Sequence, residues 1–301
     1  MLTMALNGWQ KAATAQAGRY TSRSEAEGNM NDILCGNHLD VLRRYPDDCF
    51  DMFLTSPPYD NLRDYEGYDF QFEPLAHELY RTLKPGGVGV WVVGDQTNDF
   101  CESLTSFKQA IYFVKNAGFK LNDTMVYKKA GYPFPAGRNH TKYANAFEYM
   151  FVFAKGKPLT FHQIKDKPNT TATQVMNIRG RQPSGEMKSA HGNGKIIKKL
   201  GARTNIWTYF TGFMLSSKDK NSFQHPAIFP EKLAEDHILS WSNTGDVILD
   251  PMCGSGTTCK MAAKHQRQYI GIDISEKYCE LARKRLDRFT AQTTIFDLEM
   301  N

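Results

Sequence analysis

The sequence predicts an α/β fold with a mostly parallel, doubly wound sheet, and three observations carry that prediction. Short continuous apolar runs, FDMFLT (50–55), VGVWVVGD (88–95), DVILD (246–250) and YIGID (269–273), alternate with segments of helical periodicity. Runs that are apolar throughout mark strands buried on both faces, the condition of a parallel sheet covered by helices. A glycine-containing turn, PMCGSGT (251–257), joins one such strand to a helix, as at the ligand crevices of open α/β sheets.

The remaining elements follow in order. Residues 1–30 have no strong pattern and read as a flexible N-terminal arm. NDILCG (31–36) reads as a strand, HLDVLRRYP (38–46) as a short helix, and FDMFLT as the next strand. QFEPLAHELYRTLKPGG (71–87) has helical spacing and ends on a proline and two glycines, a stop signal. After VGVWVVGD come a helix, LTSFKQAIYFVKNAG (104–118), and two strands, FKLNDTMVYKK (119–129) and FEYMFVFAKG (147–156). The chain thus divides into the arm, a first α/β half at 31–155, an insert at 156–224 and a second α/β half at 225–301.

Composition narrows the function classes. With 301 residues, 41% hydrophobic and 23% charged, the chain can bury a large core without staples. No apolar run approaches a membrane span and no compact apolar core follows a basic start, so a cytoplasmic protein is expected. The six cysteines include no C-x-x-C pair, which suits reduced thiols and disfavours a zinc site.

The net charge of +5 is unevenly spread. Residues 156–224 hold twelve Lys and Arg against three acids, leaving 25 against 29 elsewhere. Within NIRGRQPSGEMKSAHGNGKIIKKLGART (177–204), Arg179, Arg181, Lys195, Lys198, Lys199 and Arg203 lie among Gly, Asn and Ser. A solvated insert is one account of this composition; a surface for a phosphate backbone, with side chains that also reach base edges, is the other.

Two stretches carry chemistry. In TSPPYD (55–60), one proline would merely end a strand. Two in succession hold Ser56 and Pro57 extended, leaving the Pro57 carbonyl and the Ser56 hydroxyl as acceptors on a rigid rim beside the aromatic Tyr59. Such a rim suits a flat group bearing an NH2. In DPMCGSGTT (250–258), Gly254 and Gly256 allow close backbone approach, and Asp273 ends the following strand, where an acid suits ribose hydroxyls. A nucleoside-bearing cofactor fits there. The third glycine of a dinucleotide fingerprint is replaced by Cys259, no G-K-[ST] closes a P-loop, and Ser255 lacks the spacing of a hydrolase elbow.

These motifs, with LKPGG (83–87), FEYMFVFAKG, HPAIFPEKL (225–233) and YIGIDIS (269–275), resemble in order the S-adenosylmethionine-dependent DNA amino-methyltransferases of the β class, which act on N4 of cytosine or N6 of adenine. The resemblance covers about residues 31–290. It implies a circularly permuted, methyltransferase-type Rossmann-like fold in which 156–224 is the target-recognition region. Ser56 and Pro57 would accept the two N–H bonds of an exocyclic amine, Pro58 would hold the turn, and Tyr59 would stack on a base flipped out of duplex DNA. Asp250, Met252, Gly254, Ser255, Gly256 and Thr257 would line the methionine end of S-adenosyl-L-methionine, with Asp273 on its ribose. His225, Pro226, Phe229 and Pro230 would close the pocket, and Asn37 would stand where the family carries an acid near the adenine. Ser before Pro-Pro favours cytosine N4, with adenine N6 the alternative; no Pro-Cys dipeptide supports C5 chemistry. A homodimer and a cognate restriction endonuclease are further partners the resemblance implies. An RNA or protein methyltransferase, or a DNA-binding protein without catalysis, would share the fold.

Overall fold

The computed structural model of the protein describes residues 30–58, 70–131, 143–177, 179–189, 192–212, 214–219, 222 and 229–299. Residues 1–29 of the expected N-terminal arm, Tyr59, His225 and Pro226 lie outside these residues.

Eight strands form the main sheet: β1 Asp32–Cys35, β2 Phe50–Thr55, β3 Leu83–Val93, β4 Lys120–Ala130, β5 Phe147–Ala154, β6 Ile206–Phe210, β7 Val247–Asp250 and β8 Gln268–Asp273. Their spatial order is β1-β8-β7-β2-β3-β5-β4-β6. Neighbours from β1 to β3 are parallel, β5 is antiparallel to both β3 and β4, and β6 runs parallel to β4. The sheet is mostly parallel, as the apolar runs predict.

Helices α1 His38–Leu42, α2 Phe72–Thr82 and α3 Thr105–Lys115 cover one face, with Leu42, Leu75, Leu79 and Phe113 in a core shared with Phe53 and Phe153. Helices α4 Glu231–Trp241 and α5 Thr257–Lys264 cover the other, packing Leu233, Ile238 and Met261 on Met52, Val90 and Ile248. The long helix α6, Glu276–Glu299, seals the β1/β8 end through Cys279, Ala282 and Leu286.

Two boundaries depart from expectation. Helix α2 stops at Thr82, and LKPGG opens β3 instead of ending the helix. A Cβ at Gly87 would stand 2.8 Å from the Asp51 carbonyl, so this glycine serves close strand packing and not a helix stop. Residues 206–210, inside the expected insert, are the sheet's edge strand β6.

The path of the chain fixes where a ligand can enter. From β7 it crosses through α5 to β8 on one side; from β2 it crosses through α2 to β3 on the other. The carboxyl ends of β7 and β2 therefore flank the point where the winding reverses, the usual crevice of an open α/β sheet.

Candidate active site

The ladder between β2 and β7 pairs Met52 with Ile248 and Phe53 with Leu249. Past that point side chains replace the backbone ladder. The Thr55 hydroxyl donates to Asp250 Oδ1 at 2.8 Å, and the Thr258 hydroxyl donates to the Leu54 carbonyl at 3.3 Å. The strands can then diverge at the rim while staying tied together. Two motifs 195 residues apart share one hydrogen bond, and Ser56, Pro57 and Pro58 continue directly from it. Pro57 is buried, whereas Ser56 and Pro58 are half-buried at the edge.

Asp250 does not line the crevice with its carboxylate. It is 1% exposed, taking the Thr55 hydroxyl and the Met252 N–H (3.2 Å) on one oxygen. Burial pushes its carboxyl from 3.8 up to about 6, against the opposing pull of the Thr258 and Thr55 hydroxyls. Its work is to fix the start of the turn.

The turn itself has two left-handed glycines, Gly254 (φ 50°) and Gly256 (φ 75°). A Cβ on Gly256 would come within 2.8 Å of the Ala282 Cβ, so α6 packs directly on the turn. Asp273, half-buried at the end of β8, accepts the Gly254 N–H and the Ser275 N–H, each at 2.9 Å. Helix α5 opens at Gly256 without a side-chain cap, leaving its first-turn N–H groups outside the intrahelical ladder. One acidic acceptor, Asp273, and the first-turn N–H groups of α5 thus stand at the same end of the sheet. Asn37 sits at the same edge, beyond the Cys35–Asp273 pair, and caps α1 by accepting the Leu39 N–H at 2.8 Å. Met252 packs on the core of the α1/α2 face, and Phe229 on that of the α4/α5 face; Pro230 is the N-cap residue of α4.

A residue absent from the sequence expectations ties this together. Arg285, whose side chain is fully buried, donates through Nη1 to the Ser255 carbonyl and to Ser255 Oγ (2.9 Å). Its Nε reaches Asp219 and its Nη2 reaches Glu231, both at 2.9 Å. The Ser255 hydroxyl is thus engaged from within the protein. The signal was available: Tyr278, Leu281 and Ala282 form an i, i+3, i+4 stripe, and Arg285 continues it at i+7. A cation on a buried stripe requires acidic partners.

Residues 50–284 match the DNA methylase family of N6- and N4-methyltransferases. The chain belongs to that family. It is 52% identical over 245 residues to the orphan methyltransferase M.BamHII of Bacillus amyloliquefaciens, covering 80% of this chain and 91% of that one. Its fold is similar to PvuII DNA methyltransferase (cytosine-N4-specific), with TM-score 0.60, 19% identity and coverage of 86% and 89%. It is also similar to M1.HpyAVI in complex with SAM, with TM-score 0.51, 20% identity and coverage of 85% and 98%.

In this DNA methylase the basic residues divide into two groups. Arg179, Arg181, Lys195, Lys198 and Lys199 are exposed. Arg203 stands apart: its guanidinium pairs with Asp166 and, at 2.6 Å, with Asp236, and lies 5.0 Å from the Trp207 ring centre. These ion pairs tie Arg203 to α4 and to the chain at Asp166. Among the described residues no helix is long and apolar enough to cross a membrane, and no group of three metal-ligating side chains assembles. All six cysteines are free.

Proposed function

We propose that this methylase transfers a methyl group from S-adenosyl-L-methionine to N4 of cytosine in duplex DNA. The observation that carries the proposal is the Thr55–Asp250 hydrogen bond, which joins the acceptor rim of Ser56 and Pro57 to the glycine turn suited to the cofactor. Bound S-adenosylmethionine supplies an electrophilic methyl on a sulfonium centre. Asp273 would hold its ribose, the turn at 252–257 its methionine end, and Phe229 and Pro230 would close over it, together with His225 and Pro226.

An exocyclic amine is a poor nucleophile because its lone pair is delocalised into the ring. The Ser56 hydroxyl and the Pro57 carbonyl, each accepting one N–H, would draw that pair back onto nitrogen. Pro58 fixes their geometry in advance, so orientation and electrostatics supply the rate. Tyr59 would stack on the base, which must leave the helix to reach the rim. Ser56, as the residue before Pro-Pro, supports cytosine over adenine. The reading carries a cytoplasmic setting for the enzyme and a second copy of the chain as its partner, which sedimentation at micromolar concentration tests.

The deciding experiment incubates the protein with S-adenosylmethionine and mixed-sequence unmethylated duplex, then digests the DNA to nucleosides for mass spectrometry. N4-methylcytosine is expected. N6-methyladenine would keep the mechanism and overturn the base assignment; methylation of RNA alone would overturn the substrate.

A further inference from the structure

The main sheet ends in two edge strands, β1 and β6, and only one of them is closed. At β1 the Ile33 N–H donates to Asp32 Oδ1 at 2.7 Å, and the Ile33 carbonyl accepts Arg283 Nη2 at 2.8 Å and Nε at 3.2 Å. Helix α6 packs on the same residue through Cys279, Ala282 and Leu286. An edge satisfied and covered in this way leaves a foreign strand little to pair with.

Strand β6 has none of these devices. Its register with β4 runs unbroken from Ile206–Val126 to Phe210–Ala130, and the Val126 N–H donates to the Asn205 carbonyl at 2.9 Å. Alternate residues of a parallel strand bond the same neighbour, so Asn205, Trp207 and Tyr209 turn their backbone groups to β4. Ile206, Thr208 and Phe210 turn theirs outward, and among the described residues nothing bonds them. IWTYF carries no charge, proline or bulge, and Ile206 and Phe210 are 55% and 62% exposed. A cavity of about 430 Å³ opens against these three residues, shared with Leu215 and Pro230. Unpaired backbone on an uncharged apolar edge is a template for another strand.

We propose that β6 is the surface on which a second copy of this chain docks, antiparallel and edge to edge, about a two-fold axis at Thr208. The inference rests on the second copy of the proposed function and adds the surface and the symmetry operator. The outward groups are symmetric about Thr208. A two-fold axis there, normal to the sheet, sets Ile206 opposite the partner's Phe210 and Thr208 opposite the partner's Thr208, so each outward N–H and carbonyl meets its complement. The side chains agree. Trp207 and Tyr209 belong to the core under α4, which leaves Ile206, Thr208 and Phe210 together on the other face. A β-branched residue facing an aromatic one, and threonine facing threonine, are both favourable cross-strand pairs. An unrelated strand would have to match this spacing by chance; a second copy matches it by symmetry. Five residues make a small contact, so the pair should dissociate at about 1–100 μM.

The operator also orients the chemistry. A two-fold axis normal to the sheet reverses strand direction, so the crevices at the carboxyl ends of β2 and β7 open at opposite edges of the joined sheet. Each copy then engages its own duplex.

The test is sedimentation velocity of the full chain over that concentration range, in which wild type should pass from monomer to dimer. Thr208 is exposed and its N–H faces away from β4, so changes there spare the β4 ladder. Thr208→Pro removes the central outward donor, and Thr208→Lys or Thr208→Asp sets like charges opposite each other at the axis. Each should weaken association at least tenfold with thermal unfolding unchanged. An equimolar mixture of Thr208→Lys and Thr208→Asp should recover the dimer as the mixed pair, which a merely structural role for Thr208 would not produce. Titration with fluorescent duplex should saturate at two duplexes per dimer. Wild-type association in the Pro and Lys variants, or a mixture no tighter than either parent, would overturn the β6 surface while leaving a second copy standing. One duplex per dimer would overturn the operator. A wild-type monomer at every concentration would remove the second copy itself, and this inference with it, leaving the methyl-transfer reading to its own nucleoside assay.

Discussion

At the crevice, Thr55, Thr258, Asp250, Asp273 and Arg285 spend their hydrogen bonds on the glycine turn and on the strand ends and acids around it, mostly out of water. Along the paired segments of the insert, Lys167–Pro168 with Leu200–Gly201 and Arg179–Arg181 with Met187–Ser189, cations and apolar side chains alike stand in solvent without a core beneath them. The first region is complete before any ligand arrives; the second is an unfinished surface. The contrast follows from the work of each. Under the proposed mechanism, pulling an amine lone pair toward a methyl group requires acceptors fixed in advance, because reorganising them during reaction costs rate. Following a phosphate backbone, the work that composition suggests for the insert, requires adaptable contacts.

The contrast yields tests that differ in size. Ser56→Ala removes one fixed acceptor, and we expect kcat to fall by about 10²–10³-fold with cofactor affinity by calorimetry unchanged; a variant within twofold of wild type would remove Ser56 from the chemistry. Arg285→Met removes the partner that Ser255, Glu231 and Asp219 share, but both carboxylates are 21% exposed and Glu231 keeps Lys260 at 2.8 Å, so the loss should fall below the about 3–5 kcal/mol of a fully buried pair. Denaturant unfolding should show that loss. In whatever folds, KM for the cofactor should rise more than kcat falls, with partial rescue by Arg285→Lys.

Asp250 offers a pH test of the crevice. Its folded value of about 6 exceeds its ordinary 3.8, so the folded state holds the proton more tightly. The stability it contributes is therefore full below about pH 4 and lost as pH rises through 6, roughly 3 kcal/mol in all. Asp250→Asn should abolish that slope, raising the melting temperature relative to wild type more at pH 8 than at pH 5, while slowing methyl transfer through a misplaced turn. The smallest effect lies on the insert. Lys195, Lys198 and Lys199 changed to Gln should flatten the slope of log affinity against log salt by up to about 3, with no change in thermal unfolding.

The crevice was largely legible in the sequence, because the strands that build it are apolar throughout and end in signals with a mechanism: Pro57–Pro58 after β2, and Gly254 and Gly256 after β7. That Asp250 is buried was not legible, since its orientation depends on Thr55, which folding alone brings near. Arg285 was hidden for the same reason, although its place on an apolar stripe marked it as paired. Strand β6 escaped notice because IWTYF is five residues long and buries only Trp207 and Tyr209, too short to separate strand from loop within a basic, polar stretch. The ion pairs of Arg203 were not legible, because composition counts a charge without showing its partners. The insert is the part that local signals describe least: its pairings join residues up to 34 apart, from Lys167 to Gly201, with no apolar alternation to announce them.

The permuted order of motifs has a consequence for biosynthesis. Strand β2 sits at the centre of the sheet, yet the partner on one of its edges, β7, follows it by nearly 200 residues. At ribosomal speeds of about 5–20 residues per second, that edge waits roughly 10–40 s. Throughout the interval FDMFLT is an apolar strand with an unpaired side, the kind of template on which nascent chains stick to one another. Association with a chaperone, and sensitivity of yield to translation rate, should therefore peak while residues 90–250 are emerging. Arg285 emerges later still, so the glycine turn is braced only when most of the chain has left the ribosome.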